Sequence, residues 1–163
     1  MWWKAKEAKR MESQSWFSYT VVLPGIDEDD QEVMIMGNYI IKNSGNGNLH
    51  NPIICIKITP HHDVHLGGKI GSPTHTALAI DGSNSGAWEY IDDNWKESAL
   101  ETGEHWLRPK GVQELASNHS IAFAHEIRFP LQKKEKYVNI DGFIYFDELK
   151  DGSPALNKIS VNY

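Results

Sequence analysis

Through most of the chain, apolar side chains recur at every second position. Between residues 121 and 129, one alternate set is mostly large and apolar, whereas the other set is small or charged. A strand with one face on a core and the other in water has this pattern. The same alternation predicts three further strands, with the core-facing sets Phe17, Tyr19, Val21 and Leu23; Ile54, Ile56 and Ile58; and Val138, Ile140, Ile144 and Phe146.

Turn-forming residues separate these segments. Pro24-Gly25, the glycine- and asparagine-rich stretch 43–48, and residues 151–154 each end a β-type run. Roughly seven to nine short strands are expected, and no strand–helix–strand alternation indicates a parallel sheet. The sequence therefore predicts a mostly-β fold, a single antiparallel two-layer β-sandwich. A closed barrel is the alternative architecture.

Two stretches depart from the two-residue period. Residues 1–15 carry Ala5, Ala8 and Met11 among charged residues, which predicts a short N-terminal helix. Residues 82–118 lack a regular period, so we predict an irregular aromatic-rich insertion with a short helix near 94–101. The predicted organisation is an N-terminal helix over 1–15 and one sandwich domain over 16–163, with two short strands between residues 66 and 80.

Composition narrows the function classes. The 163 residues are 40% hydrophobic and 23% charged, with a formal net charge of -6 at pH 7. These values are typical of a globular domain and exclude a disordered chain. The acidic balance argues against a nucleic-acid binder, and the short basic run Lys133, Lys134 and Lys136 is expected to be a solvated hairpin tip. Cys55, the single cysteine, cannot form an internal disulfide and is expected to be buried.

The N-terminus leaves the localisation open. No stretch approaches the roughly 20 apolar residues of a membrane-spanning helix, and no signal peptide is evident, so a cytoplasmic protein is the default expectation. However, Trp2 and Trp3 precede a basic stretch, Lys4 to Arg10, in the order typical of a membrane edge. If the natural chain starts upstream, this segment would lie near a membrane and the domain at the cell surface. Otherwise the tryptophans pack on the domain.

The segment from Tyr39 to Pro60 resembles the bacterial Ig-like sandwich modules of the CARDB and DUF11 type. In those modules a strand ends in an Asn-x-Gly turn, and the next strand begins after an apolar residue followed by an Asn-Pro-like step. Here the corresponding stretch reads Asn-Ser-Gly-Asn-Gly-Asn-Leu-His-Asn-Pro over residues 43–52. The resemblance covers about a quarter of the chain and implies a non-catalytic structural or interaction module. The 82–118 insertion departs from the family pattern.

A histidine cluster is the first candidate site. His61, His62, Asp63 and His65 follow one another closely, and His75 comes ten residues later. Imidazole and carboxylate groups are good zinc ligands, so the alternative function is a metal-binding protein or metal-dependent enzyme. A metal site needs three or four convergent ligands, and no second ligand motif accompanies the cluster. A solvated polar loop is the other interpretation.

The aromatic insertion is the second candidate site. Trp88, Tyr90, Trp95 and Trp106 lie among acidic and amide residues. Such side chains anchor protein partners or stack on sugar rings, and they also serve as a local core. We predict a protein-binding site formed by these four residues, with a carbohydrate-binding module as a further alternative and no cofactor.

The common catalytic motifs are absent from the sequence. The sequence has no Gly-x-Ser-x-Gly, phosphate-binding loop, Gly-x-Gly-x-x-Gly or His-Glu-x-x-His pattern. His125 lies on the inward face of its strand, where a hydrogen-bonded core histidine is expected rather than a catalyst. The prediction is therefore a non-enzymatic interaction module.

Overall fold

A computed structural model of the chain describes residues 7–27, 29, 31–71 and 87–163. In chain order, the described elements are β1 (Ser13–Val22), β2 (Glu32–Asn43), β3 (Leu49–His50), β4 (Ile53–Thr59), β5 (His65–Gly68), β6 (Trp88–Tyr90), α1 (Trp95–Thr102), β7 (Glu104–Pro109), β8 (Glu114–Leu115), β9 (Ser120–Pro130), β10 (Tyr137–Phe146), β11 (Leu149–Pro154) and β12 (Ile159–Asn162).

Two antiparallel sheets form the body of the fold. The first has the order β1-β2-β9-β5, and the second has the order β11-β10-β4-β7-β6, with β12 also pairing with β10. The chain changes sheet between β2 and β4, between β4 and β5, between β5 and β6, between β7 and β9, and between β9 and β10. Two antiparallel sheets joined by a chain that passes repeatedly from one to the other are the arrangement of an Ig-like sandwich. The predicted two-layer Ig-like architecture is confirmed, and the barrel alternative is wrong.

The core lies between the two sheets and follows the alternation of the sequence. Isoleucine, valine and phenylalanine side chains from β2, β4, β9 and β10 are almost fully buried. The predicted inward faces of β4, β9 and β10 are therefore confirmed. The prediction for β1 is only partly correct, because Phe17 is buried whereas Tyr19 is 38% and Leu23 is 65% exposed. The core beneath β1 ends near Phe17, and Val21 alone of the later positions packs partly against it.

The predicted N-terminal helix over 1–15 is wrong for residues 7–15, and residues 1–6 lie outside the described part. β1 already begins at Ser13, and residues 7–12 adopt no helix or other regular secondary structure. Their main chain pairs with the asparagine–glycine turn: Asn46 N donates to Arg10 O, and the Asn46 side-chain amide donates to Ala8 O. These tertiary hydrogen bonds outweigh the weak helical propensity of a short segment.

The predicted irregularity of residues 82–118 is also wrong for its described part, residues 87–118. β6 and β7 extend the second sheet beyond β4, and α1 connects them close to the predicted position. Near the end of the 82–118 segment, the short strand β8 pairs with β3. Half-buried short strands lack a visible period, which explains the error. Of the two strands predicted in 66–80, β5 is present, and residues 72–80 lie outside the described part.

Trp88 joins the two sheets at one side of the sandwich. Its main-chain N–H donates to Lys69 O at 2.7 Å, and Lys69 N donates to Ala124 O of β9. The indole Nε1 donates to Ala122 O at 3.1 Å, and the ring packs edge-on against Phe123. The side chain is 2% exposed. Trp88 is therefore a core residue that ties β6 to the edge of the first sheet.

Candidate functional site

A cleft of about 300 Å³ opens between α1 and the loop that carries the histidine cluster. Both candidate groups from the sequence contribute to it. The described residues lining the cleft are Ile58, His61, Val64, His65, Leu66, Trp95, Lys96, Ala99, Leu100 and His105. The fold brings them together because β4 leads into the histidine loop at the same end of the second sheet where α1 leads into β7.

Gly103 sets the distance between α1 and the histidine loop. It ends the helix in the left-handed region at φ 74°, and its N–H donates to Ala99 O at 2.9 Å. Its carbonyl accepts a hydrogen bond from Ile58 N, also at 2.9 Å. A Cβ atom at this position would lie 2.9 Å from His61 Cβ and would collide with Ile58 O. Only glycine therefore combines this backbone geometry with so close an approach to His61.

Tyr90 and Trp95 form the rigid aromatic wall beside the cleft. Their rings are parallel within 4° and their centroids are 3.9 Å apart. The Tyr90 hydroxyl shares a hydrogen bond of 2.8 Å with His105 Nδ1. Burial lowers the pKa of His105 to about 4, and burial also raises the pKa of Tyr90. Near neutral pH the wall is therefore uncharged, and the stack fixes the orientation of the Trp95 indole.

The apolar surface of the cleft continues onto α1. Leu100 is 74% exposed, although leucine is a residue that globular proteins usually bury. No residue of α1 is buried, so the helix contributes little to the core. Trp95, Ala99 and Leu100 lie toward the cleft, and this leaves an apolar strip open to solvent beside the histidine loop.

Lys96 is the only lysine, arginine, aspartate or glutamate among the described residues that line the cleft. Lys96 lines the cleft, with its Nζ 5.5 Å from the centroid of the Trp95 ring. No carboxylate belongs to the described lining, although the whole chain carries a net charge of -6. Glu97 and Glu101 follow one helical turn apart on a side of α1 that does not line the cleft. The cleft is thus a locally cationic, apolar site on an acidic protein.

The four predicted aromatic site residues do not form one surface. Trp88 lies in the core, whereas Tyr90 and Trp95 stand at the cleft. Trp106 lies on the outer face of the second sheet, where its ring centroid is 5.3 Å from that of Tyr145. Its neighbours on β7, His105 and Leu107, point into the protein instead.

The histidine cluster is divided in a similar way. His61 and His65 line the cleft, whereas His62 and Asp63 do not. The rings of His61 and His62 are 4.6 Å apart, and Lys133 Nζ donates to the carbonyl of His62. Among the described residues, no group of three or more His, Cys, Asp or Glu side chains is placed to hold a metal ion. The metal alternative thus has no ligand set there, and His75 lies outside the described part.

Lys133 corrects a further expectation. The hairpin between β9 and β10 was predicted to be fully solvated, but Lys133 is only 4% exposed and its ammonium group is held by the loop carbonyl. Lys134 and Lys136 are exposed, and Lys136 Nζ lies over the Tyr163 ring at 5.6 Å. Lys133 therefore clamps the histidine loop to the β9–β10 turn, and the three lysines do not form a continuous basic patch.

A larger groove of about 830 Å³ lies at the opposite end, along the outward side of β9 and the 111–116 loop. Its described lining is small or polar for the most part and has no tryptophan, tyrosine or phenylalanine. The α1 cleft is therefore the better-defined candidate.

Leu100, Lys96, Leu66 and His105 are site residues that the sequence reasoning missed. The sequence predicts a helix near 94–101, in which Trp95 and Ala99 are four positions apart and share a face, with Leu100 next to Ala99. That spacing was the available signal for the helix face. No comparable signal indicates Leu66 on β5 or His105 on β7, because these two residues are about forty positions apart in the sequence.

Comparison with known proteins adds little to this geometry. The sequence matches no family model and no curated protein. A solved structure named BspA_C_WT is similar with a TM-score of 0.42 and 11% sequence identity. The similarity covers 95% of this chain and 50% of that chain, so this chain spans about half the length of that structure. In the described part of the chain, no helix is long and apolar enough to cross a membrane.

Proposed function

We propose that this domain is a protein-interaction module whose binding site is the cleft between α1 and the His61–Leu66 loop. The observation that carries the proposal is the exposed Leu100 beside the fixed indole of Trp95, in a cleft lined by no described carboxylate. Exposed apolar side chains around a preformed pocket are typical of binding sites.

The ligand we infer is a segment of a partner protein that presents one large apolar side chain flanked by acidic residues. The apolar side chain would fill the space between Leu66, Ala99 and Leu100. The flanking carboxylates would be attracted by Lys96, while the overall acidic surface would disfavour partners that are acidic throughout. Because Trp95 is already stacked on Tyr90, little reorganisation is needed on binding.

Two finer predictions from the sequence belong to this proposal. Membership of the CARDB and DUF11 group would be compatible with the Ig-like strand order and with an interaction role. A position at the cell surface would supply partners outside the cell. Neither is needed for the cleft to bind a peptide, and both stay predictions.

The test is selection of a random-sequence displayed peptide library against the wild-type protein. We expect enriched peptides that share an aromatic or aliphatic residue next to Asp or Glu. Their binding should be lost in Leu100→Asp. It should persist in the matched control Leu156→Asp, because Leu156 is 71% exposed but lies elsewhere.

Lys96→Glu supplies a second arm of the experiment. Acidic-flanked peptides should bind this variant more weakly, and raising the salt concentration should reduce the difference from wild type. Absence of enriched peptides, or equal binding to wild type and Leu100→Asp, would contradict the proposal.

A further inference from the structure

One edge of the first sheet is covered along only half of its length. β1 pairs with β2 on one side. On its other side, Leu156 N donates to Ser15 O at 2.8 Å. The side-chain amide of Asn157 then occupies the next position: its Oδ1 accepts from Phe17 N at 2.7 Å, and its Nδ2 donates to Phe17 O at 2.9 Å. Asn157 thus imitates one residue of a neighbouring strand.

Beyond Phe17, this edge is open. The main-chain groups of Ser15 and Phe17 point away from β2, so in a regular strand those of Tyr19 and Val21 point the same way. In the described part of the chain, no other segment bonds to these main-chain groups. Ser18, Tyr19, Thr20 and Val22 are all exposed, with Tyr19 at 38% and Val22 at 42%.

The exposed half-strand lacks the features that usually prevent pairing between sheets. Natural edge strands carry charged side chains, prolines or bulges that block a further strand. Residues 13–24 contain no charged residue, and the only proline in that stretch is Pro24, after β1 has ended. The register between β1 and β2 is continuous from Ser13 to Val22. On an acidic protein, this neutral strip is a place where two copies can approach without direct repulsion.

We propose that β1 is a dimerisation edge, on which β1 of a second copy of this chain pairs in the antiparallel direction. The two-fold axis passes between the two Thr20 residues. Tyr19 of each copy then forms a hydrogen-bonded pair with Val21 of the other, which gives about four main-chain hydrogen bonds. The two four-stranded sheets become one continuous sheet across the axis.

A second copy suits this edge because antiparallel pairing of identical strands is self-complementary. Each Tyr19 ring lies next to a Val21 side chain across the axis, an aromatic and β-branched pair of the kind that stabilises sheets. Asn157 limits the pairing to the residues after Phe17 and thereby fixes where the copies meet. None of the described residues that line the α1 cleft belongs to β1 or β2, so dimerisation is independent of the proposed peptide binding.

Site-specific crosslinking tests the pairing and its register. In Thr20→Cys, the two Cα atoms would lie about 4.5 Å apart, within the range of a disulfide. The matched control is Ser18→Cys, exposed on the same face, where the two Cα atoms would be about 14 Å apart. Native Cys55 does not interfere, because it is 3% exposed and burial raises its pKa to about 12.

The expected result is a covalent dimer under mild oxidation for Thr20→Cys and at least about fivefold less for Ser18→Cys. Sedimentation velocity of the wild-type protein should show a concentration-dependent dimer, and Thr20→Lys should weaken it at least about tenfold, because two like charges then face each other. A wild-type protein that stays monomeric at every concentration, a dimer unaffected by Thr20→Lys, or equal crosslinking of the two cysteine variants would overturn the proposal.

Discussion

The Tyr90 hydroxyl lies 2.8 Å from Nδ1 of His105, and this contact joins β6 to β7 at the base of the cleft. His105 is buried and Tyr90 is half-buried, and burial keeps His105 neutral near pH 7 by lowering its pKa to about 4. A neutral imidazole can serve as a donor or an acceptor, so each side chain satisfies a polar group of the other. The bond thereby holds the ring on which Trp95 is stacked.

Tyr90→Phe should destabilise the protein by about 1–2 kcal/mol. The substitution keeps the aromatic stack but removes the hydroxyl, and so leaves the buried His105 Nδ1 without its partner. An unpaired buried nitrogen costs more free energy than the loss of a hydrogen bond at the surface, where water replaces the partner. Chemical denaturation of wild type and variant measures the change. Tyr137→Phe is the control, because Tyr137 is 41% exposed. Equal effects of the two substitutions would show that the Tyr90 hydroxyl contributes nothing.

The alternation of the sequence predicted the sandwich because the inward faces of β4, β9 and β10 are continuous apolar sets. It failed for residues 7–15, where hydrogen bonds to Asn46 and the pairing of β1 with β2 decide the conformation. It also failed for β6 and β7, which are too short to show a period. The candidate site was half predicted. Trp95 and His61 were both identified, but their meeting depends on the close approach at Gly103, which no local pattern encodes.

The stability of the protein should fall as the pH is lowered from about 6.5 towards 4. Burial lowers the pKa values of His105 and His125 to about 4, whereas both histidines titrate near 6.5 in the unfolded chain. Between these values the unfolded state binds more protons, so the free energy of unfolding rises with pH, by up to about 1.4 kcal/mol per unit for each histidine. Urea denaturation at pH 4.5, 5.5, 6.5 and 7.5 measures the slope. A flat profile would refute the assignment.

His125→Phe should stabilise the protein and reduce that slope. The His125 ring is 4% exposed and lies 5.9 Å from the Phe17 ring and 6.4 Å from the Phe123 ring. The strand pattern predicts a hydrogen-bonded core histidine, and this prediction is wrong, because neither ring nitrogen has a partner among the described residues. Phenylalanine removes these buried polar atoms and keeps the aromatic shape, which favours a gain of about 1 kcal/mol or more.

The pH dependence separates this effect from simple repacking. The stability gained by His125→Phe should be larger at pH 5 than at pH 7.5. At pH 5 the wild-type histidine binds a proton in the unfolded state but not in the folded state, and this lowers the free energy of unfolding of the wild type. A loss of stability at both pH values would indicate instead that phenylalanine does not fit between the two rings.

Trp88→Ala should destabilise the protein by about 3–5 kcal/mol, the cost typical of removing a fully buried large side chain. Trp106→Ala should cost less, about 1–2 kcal/mol, because Trp106 is half-buried on the outer face of the second sheet. Thermal unfolding of the two variants gives the comparison. Equal losses of stability would contradict the placement of Trp88 in the core and of Trp106 on the outer face. Trp88 could then no longer be excluded from the binding surface on the ground of its burial.

Gly103→Ala should destabilise the protein and weaken peptide binding at the cleft. Gly111→Ala is the matched control, since Gly111 has a φ of 76°, almost equal to the 74° of Gly103, but a Cβ atom there would meet nothing within 4 Å. Backbone strain, about 1 kcal/mol, is therefore common to both variants. Only Gly103→Ala adds the collision with Ile58 O and with His61, which pushes α1 away from the histidine loop. Denaturation should show a loss at least about 1 kcal/mol larger than that of the control, and identical losses would mean that the helix and the loop move apart freely.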